Sequence, residues 1–147
     1  MKKPRVIDAS IILRFLTNDN PEKASACEAL LLRVEPGQEE VFLPDLVIAD
    51  IVWTLEKFYQ VDKSRIREMI IPILAAKGMT CTSKGRVLLA LEKYAKKNVD
   101  WADAFVAAQT MECGYEEIYS YDRDFDKLPG MVRIEPRSSF DYFQPGV

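Results

Sequence analysis

Five short runs rich in β-branched and aromatic residues constrain this chain more than any other feature. They are RVIDA (5–9), VFLP (41–44), MTCTS (79–83), EIYSY (117–121) and MVRIEP (131–136). Each is short enough to be a strand, and most are separated by longer stretches whose apolar residues recur at helical spacing. One such stretch is PEKASACEALLLRV, where Ala24, Cys27, Leu30, Leu31 and Val34 share a face. Further helices are expected over SIILRFLT, from Pro44 to about Tyr59, from Ser64 to Ala76, over GRVLLALEKYAKKN, and over DWADAFVAAQTMECG, which Gly114 closes. Strands alternating with helices predict an α/β protein, a three-layer α/β/α domain with a mainly parallel central sheet. No linker, repeat or low-complexity segment divides the chain, so a single domain over 1–147 is expected.

Ligands of such sheets bind beyond the carboxyl ends of the strands. Asp8 stands at that end of the first strand, and Asp122 follows the strand at 117–121. Asp122 also opens the run Asp122, Asp124, Asp126, three carboxylates at alternate positions. At about 5 Å, two such charges repel by roughly 3 kcal/mol at an effective dielectric of about 20. Something must offset that repulsion. A calcium loop does not account for it, because the sixth position of DRDFDKLPGMVR is Lys127, not glycine, and the twelfth is Arg133, not glutamate. An Asx-type turn accounts for Asp124 and Asp126 but leaves Asp122.

Asp103 is a third candidate, near the start of a helix whose small residues, Ala102, Ala104, Ala107 and Ala108, allow close packing. Asp100 precedes it as the expected N-cap. Asp50 is a fourth. It lies off the apolar stripe Val47, Ile48, Ile51, Val52, Leu55, Phe58, flanked by Leu46 and Trp53 with Lys57 further along that side. Asp8, Asp103 and Asp122, with Asp50 nearby, compose an oxygen-only site for a hard divalent cation, Mg2+ or Mn2+. Phosphodiester hydrolysis is the chemistry that such a site favours.

Composition removes the main competitors. The chain contains no histidine, which excludes the Ser-His-Asp and Cys-His mechanisms, and its three cysteines lack CxxC spacing, which argues against zinc. A net charge of −3 argues against a broad electrostatic grip on nucleic acid but not against a local metal-assisted one. The longest apolar run, MIIPILAA, contains Pro72 and is too short to span a membrane, and MKKPRVIDAS lacks a signal-peptide core; a cytoplasmic location is expected.

The blocks VIDASIILRFLTNDNPEKASACEALL, VFLPDLVIADIVWTLEKFY and DWADAFVAAQTMECGYEEIYSYDRDFDKLPG resemble successive segments of PIN-domain proteins, specifically the VapC-type toxins of type II toxin–antitoxin pairs. The resemblance covers nearly the whole chain. It implies a magnesium- or manganese-dependent endoribonuclease, a homodimer, an RNA substrate and a cognate antitoxin that inhibits the site. It carries catalytic roles to Asp8, Asp50, Asp103 and Asp122, with metal binding by Asp8, Asp103 and Asp122. Ser10, Asp100 and Asp124 match auxiliary positions. Asp50 departs from the pattern, since the family usually has glutamate there. Arg14 and Arg123 are candidates for phosphate contact.

Other classes fit less well. A haloacid-dehalogenase-type phosphatase needs a second aspartate where this chain has Ser10. A response-regulator receiver needs its aspartate at a strand end, whereas Asp50 falls within a helix. A catalytically weak or inactive PIN-like binding module and a DNA-directed structure-specific nuclease remain as alternatives.

Overall fold

In the computed structural model, which describes residues 3–138, helices alternate with short strands along the chain. The elements are β1 (Arg5–Val6), α1 (Ala9–Thr17), α2 (Pro21–Val34), β2 (Val41–Phe42), α3 (Asp45–Trp53), α4 (Lys63–Ala75), β3 (Met79–Thr80), α5 (Lys84–Lys97), α6 (Trp101–Glu112), β4 (Glu117–Tyr119) and β5 (Val132–Ile134). The single domain expected over 1–147 extends at both ends beyond the described residues.

The strands pair in two parallel ladders, β1-β2-β3 and β4-β5. Arg5 and Val6 register with Val41 and Phe42, which in turn register with Met79 and Thr80. Glu117 to Tyr119 register with Val132 to Ile134. This is the three-layer α/β/α class with parallel strands that the alternation predicts. The strands are shorter than the apolar runs that mark them, although Ile7 and Leu43, just past β1 and β2, still donate to the neighbouring Phe42 and Thr80 carbonyls at 2.9 and 2.8 Å and are buried in the core.

Local signals set the helix boundaries. Asn20 caps α2 by accepting from the Lys23 amide at 3.2 Å, with Pro21 at the first helical position. Ser83 caps α5 through the Arg86 amide at 3.1 Å, and Asp62 caps α4 through the Ser64 amide. Gly114, at φ +81°, follows α6, as its sequence position predicts.

A tight corner between α5 and α6 positions the acidic residues. Asn98 turns the chain in the left-handed region, Val99 is fully buried, and the Lys63 ammonium donates to the Val99 carbonyl at 2.7 Å. Tyr94 packs edge-on against Trp101 with ring centroids 5.7 Å apart. Ala104, Ala107 and Ala108 are fully buried, and with so little side-chain bulk α6 lies close against α5, its principal neighbour.

The helix expected from Pro44 to about Tyr59 changes character near its end. Thr54–Phe58 forms a π-type turn, closed by the Tyr59 amide on the Thr54 carbonyl at 3.1 Å. The wider turn advances the frame by one residue. Phe58, expected in the buried stripe, is therefore 73% exposed, and Tyr59 packs against the core in its place. Among the described residues, no helix is long and apolar enough to cross a membrane.

Candidate functional site

Asp8 and Asp100 both occupy the N-cap position of a helix, and neither uses its side chain as a cap. An N-cap hydrogen bond is ordinarily worth about 1 kcal/mol, and the protein makes one at Asn20, Asp62 and Ser83. At Asp8 and Asp100 the carboxylate is left for other partners. Asp8 accepts from the Ser10 hydroxyl at 3.2 Å. Asp100 instead joins Asp103 and Asp124, carboxylate oxygens of the three residues lying within 4.8 Å of one another. Asp100 thus sits where the sequence places an N-cap, but its side chain does not cap.

The loop after β4 delivers Asp122 and Asp124. The Asp122 amide donates to the Ser120 hydroxyl at 3.0 Å, and the Asp122 carboxylate accepts from the Asp124 amide at 2.9 Å, opening a 3-10 turn over Arg123–Lys127. Phe125 (4% exposed) and Leu128 (1%) anchor that turn in the core. The Asx-type bond therefore belongs to Asp122. Asp124 and Asp126 instead make ion pairs, with Lys127 and Arg133 respectively, both at 3.1 Å. Arg133 also donates to the Ser120 carbonyl at 3.1 Å and to Glu135 at 2.7 Å, tying the loop to β5.

Asp103 carries the electrostatic strain of the group. Its Oδ2 is buried and has no donor among the described residues. The Asp122 carboxyl lies within hydrogen-bonding reach, but a hydrogen bond between the two forms only when one of them is protonated and donates. Burial, then Asp122, then the charges of Asp100 and Asp124 push the Asp103 carboxyl up from its ordinary 3.8 to about 6. An all-oxygen group with one orphaned, partly desolvated carboxylate fits a hard divalent cation. It does not suit a soft metal, which would seek sulfur or imidazole.

Of the residues expected at the site, the structure gathers Asp100, Asp103 and Asp124 directly and sets Asp122 against Asp103. Asp8 and Asp50 lie outside the group of three. Asp50 is exposed and accepts from the Thr54 hydroxyl at 3.3 Å, yet it lines the same cavity as Asp100. Arg14 and Ser10 border a separate small depression with Asp19 and Tyr59, whose hydroxyl donates to Asp19 at 2.6 Å. Arg123 is exposed in the 3-10 turn. Sequence reasoning gave Asp100 and Asp124 a subordinate place. Their prominence follows from an unused cap and from a turn geometry that residue spacing does not encode. The reasoning also passed over Glu56, which receives the buried Tyr94 hydroxyl and pairs with Lys57 at 2.7 Å.

The fold is thus a parallel α/β domain that gathers carboxylates from a helix start and a post-strand loop. The chain belongs to the PIN domain family, whose sequence model matches residues 5–131. It is also similar to the VapC ribonuclease of Aquifex aeolicus (strain VF5), with 26% identity over 132 residues, covering 90% of this chain and 96% of that protein.

Proposed function

We propose that this protein is a divalent-metal-dependent endoribonuclease that hydrolyses RNA phosphodiester bonds and serves as the toxin of a toxin–antitoxin pair. The observation that carries the reading is the Asp103 Oδ2, buried and without a donor among the described residues, within a group of three mutually close carboxylates. Membership of the PIN domain family and similarity to a VapC ribonuclease support the choice of RNA as substrate.

In this reading Asp8, Asp103 and Asp122 hold Mg2+ or Mn2+. Asp100 and Asp124 complete the negative field, Asp50 orients the ion or its surroundings, and Ser10 fixes the Asp8 carboxylate. A divalent ion bound there offsets the carboxylate repulsion and supplies the Lewis acidity that activates water and neutralises phosphate charge. The protein's own groups do the rest. Arg14 and Arg123 contact backbone phosphates, and the carboxylates fix where the cation-dependent chemistry occurs. Water attacks phosphorus in line, the 3′-oxygen departs, and the products carry a 5′-phosphate and a 3′-hydroxyl. With no histidine in the chain, the proton passes to solvent or to a carboxylate. The protein acts as a single domain in the cytoplasm, as a homodimer, and a cognate antitoxin holds it inactive.

The test is incubation of purified protein, freed of antitoxin, with a panel of transfer, ribosomal and messenger RNA in Mg2+ or Mn2+. An EDTA control and Asp8→Asn run alongside. Cutting at discrete sites, lost in both controls, is expected. A 2′,3′-cyclic phosphate end, or no cutting with either ion, overturns the reading.

A further inference from the structure

Trp53 and Trp101, the only tryptophans in the chain, line one cavity of ≈ 470 Å³ together with Ala49, Asp50, Lys57 and Asp100. Trp101 is a wall, 8% exposed and packed on Tyr94. Trp53 is 61% exposed, an indole face held at the rim by the end of α3. Asp100 belongs both to this cavity and to the carboxylate group, so whatever fills the cavity lies beside the proposed reaction site.

The lining determines what can enter. Asp50, Glu56 and Asp100 stand in the wall and repel anionic groups, so the part of an RNA strand that can enter is its uncharged base, while the attached phosphate must stay where a cation meets it. Lys57 is that cation. It pairs with Glu56 at 2.7 Å and feels the charge of Asp100. Glu56 also accepts from the Tyr94 hydroxyl, so it keeps a donor when Lys57 changes partner. The π-type turn that begins at Thr54 places Lys57 one turn beyond Trp53 on this wall. A flat neutral ring with a phosphate a few ångströms away is a nucleotide of a single strand, and exposed aromatic faces beside a cation take such bases by stacking.

We propose that this cavity is a subsite for an unpaired nucleobase next to the scissile phosphate, with Trp53 stacking on the base and Lys57 contacting its phosphate. The inference deepens the ribonuclease reading and rests on it for the substrate, though base binding itself is measurable without turnover. Because both indoles line the cavity, intrinsic fluorescence reports its occupancy directly.

The experiment titrates a mixed-sequence, single-stranded RNA octanucleotide into the full chain with Mg2+, in the Asp8→Asn background so that the probe is not consumed. Saturable quenching is expected. Trp53→Ala is expected to weaken binding by about five- to a hundredfold, Trp53→Phe to restore most of it, and Lys57→Ala to lower the salt slope by about one charge. In the cleaving protein, Trp53→Ala is expected to raise KM more than it lowers kcat. Equal RNA affinity for wild type and Trp53→Ala overturns the subsite. So does dissociation of a dimer by Trp53→Ala with RNA affinity retained, because a second copy is then the occupant. Loss of antitoxin binding alone overturns it in favour of a protein partner. If the cleaving protein cuts RNA and Trp53→Ala has the same KM, the subsite is wrong while the nuclease stands. If Trp53-dependent quenching appears but no RNA is cut with either ion, the nuclease reading fails and the base site stands.

Discussion

Asp103 on α6 and Asp122 after β4 face each other within hydrogen-bonding reach, two carboxyl groups from successive elements that cannot both be ionised there without repulsion. Asp103 is the member pushed up, to about 6, first by burial and then by Asp122. The sign of the linkage follows. A carboxyl whose folded pKa lies above its unfolded value contributes stability that is fully present below about 3.8 and lost as pH rises through about 6. The metal-free protein is therefore expected to lose stability between pH 4 and 7 through this group, by about 1–2 kcal/mol once solvent screening is allowed for. Urea denaturation in EDTA across that range checks it. Asp103→Asn removes the titration and is expected to flatten this part of the profile and to be the more stable protein at pH 7. A wild-type profile that matches the variant's contradicts the repulsion.

Added Mg2+ or Mn2+ is expected to act mainly above pH 6, where Asp103 is ionised. Ligands that bind only the folded state stabilise it by mass action. Asp103→Asn, Asp100→Asn and Asp124→Asn are each expected to weaken cation binding by tenfold or more, by order of magnitude. Asp126→Asn provides the contrast. It lies outside the group of Asp100, Asp103 and Asp124, paired with Arg133 at 3.1 Å, and its loss is expected to leave affinity unchanged. Calorimetric titration of the four variants tests this. Equal effects at Asp126 and Asp103 mean that general negative charge, not a built site, attracts the ion.

Much of this arrangement could be read from the sequence, and the limits are specific. The expected bounds of α2 hold at both ends because Asn20, Pro21 and the turn after Val34 are local signals. Phe58 was misplaced because a π-type turn depends on how α3 meets Tyr59 and Val61, not on its own composition. Asp122 was marked by its place after a strand, and the structure sets it against Asp103. The meeting of Asp100, Asp103 and Asp124 was not legible, since it requires knowing that Asp100 leaves its cap unused. Spacing can put acids on one edge of a sheet. Only side-chain placement decides which oxygens touch.

Gly78 is expected to be irreplaceable for packing reasons. It precedes β3, where its amide donates to the Val34 carbonyl at 2.9 Å and its carbonyl accepts from the Val41 amide at 2.8 Å. A Cβ there would stand 2.0 Å from the Glu39 carbonyl oxygen and 2.8 Å from that of Val34. Both obstacles are backbone, so β2 or the turn before it must shift. Gly78→Ala is expected to cost about 2–4 kcal/mol in chemical denaturation. A cost below about 0.5 kcal/mol would show that the turn yields freely.

Asp50 gives the sharpest test of how complete the site is. It stands on α3 where the resembled family usually has glutamate, exposed, with the Thr54 hydroxyl at 3.3 Å as its hydrogen-bond donor. The carboxylate lies outside the group formed by Asp100, Asp103 and Asp124, though it lines the cavity they border through Asp100. One added methylene lengthens the side chain by about 1.5 Å in a setting where ligand distances are set to within roughly 0.2 Å. Because Asp50 is on the surface, Asp50→Glu is expected to change stability by no more than about 0.5 kcal/mol. The same change is expected to raise cation affinity and cleavage rate severalfold, by extending a carboxylate towards the group around Asp103. Asp50→Ala is expected to lower both. If cleavage and cation affinity are the same for aspartate, glutamate and alanine, Asp50 takes no part in the site, and Asp8, Asp103 and Asp122 must carry the cation without it.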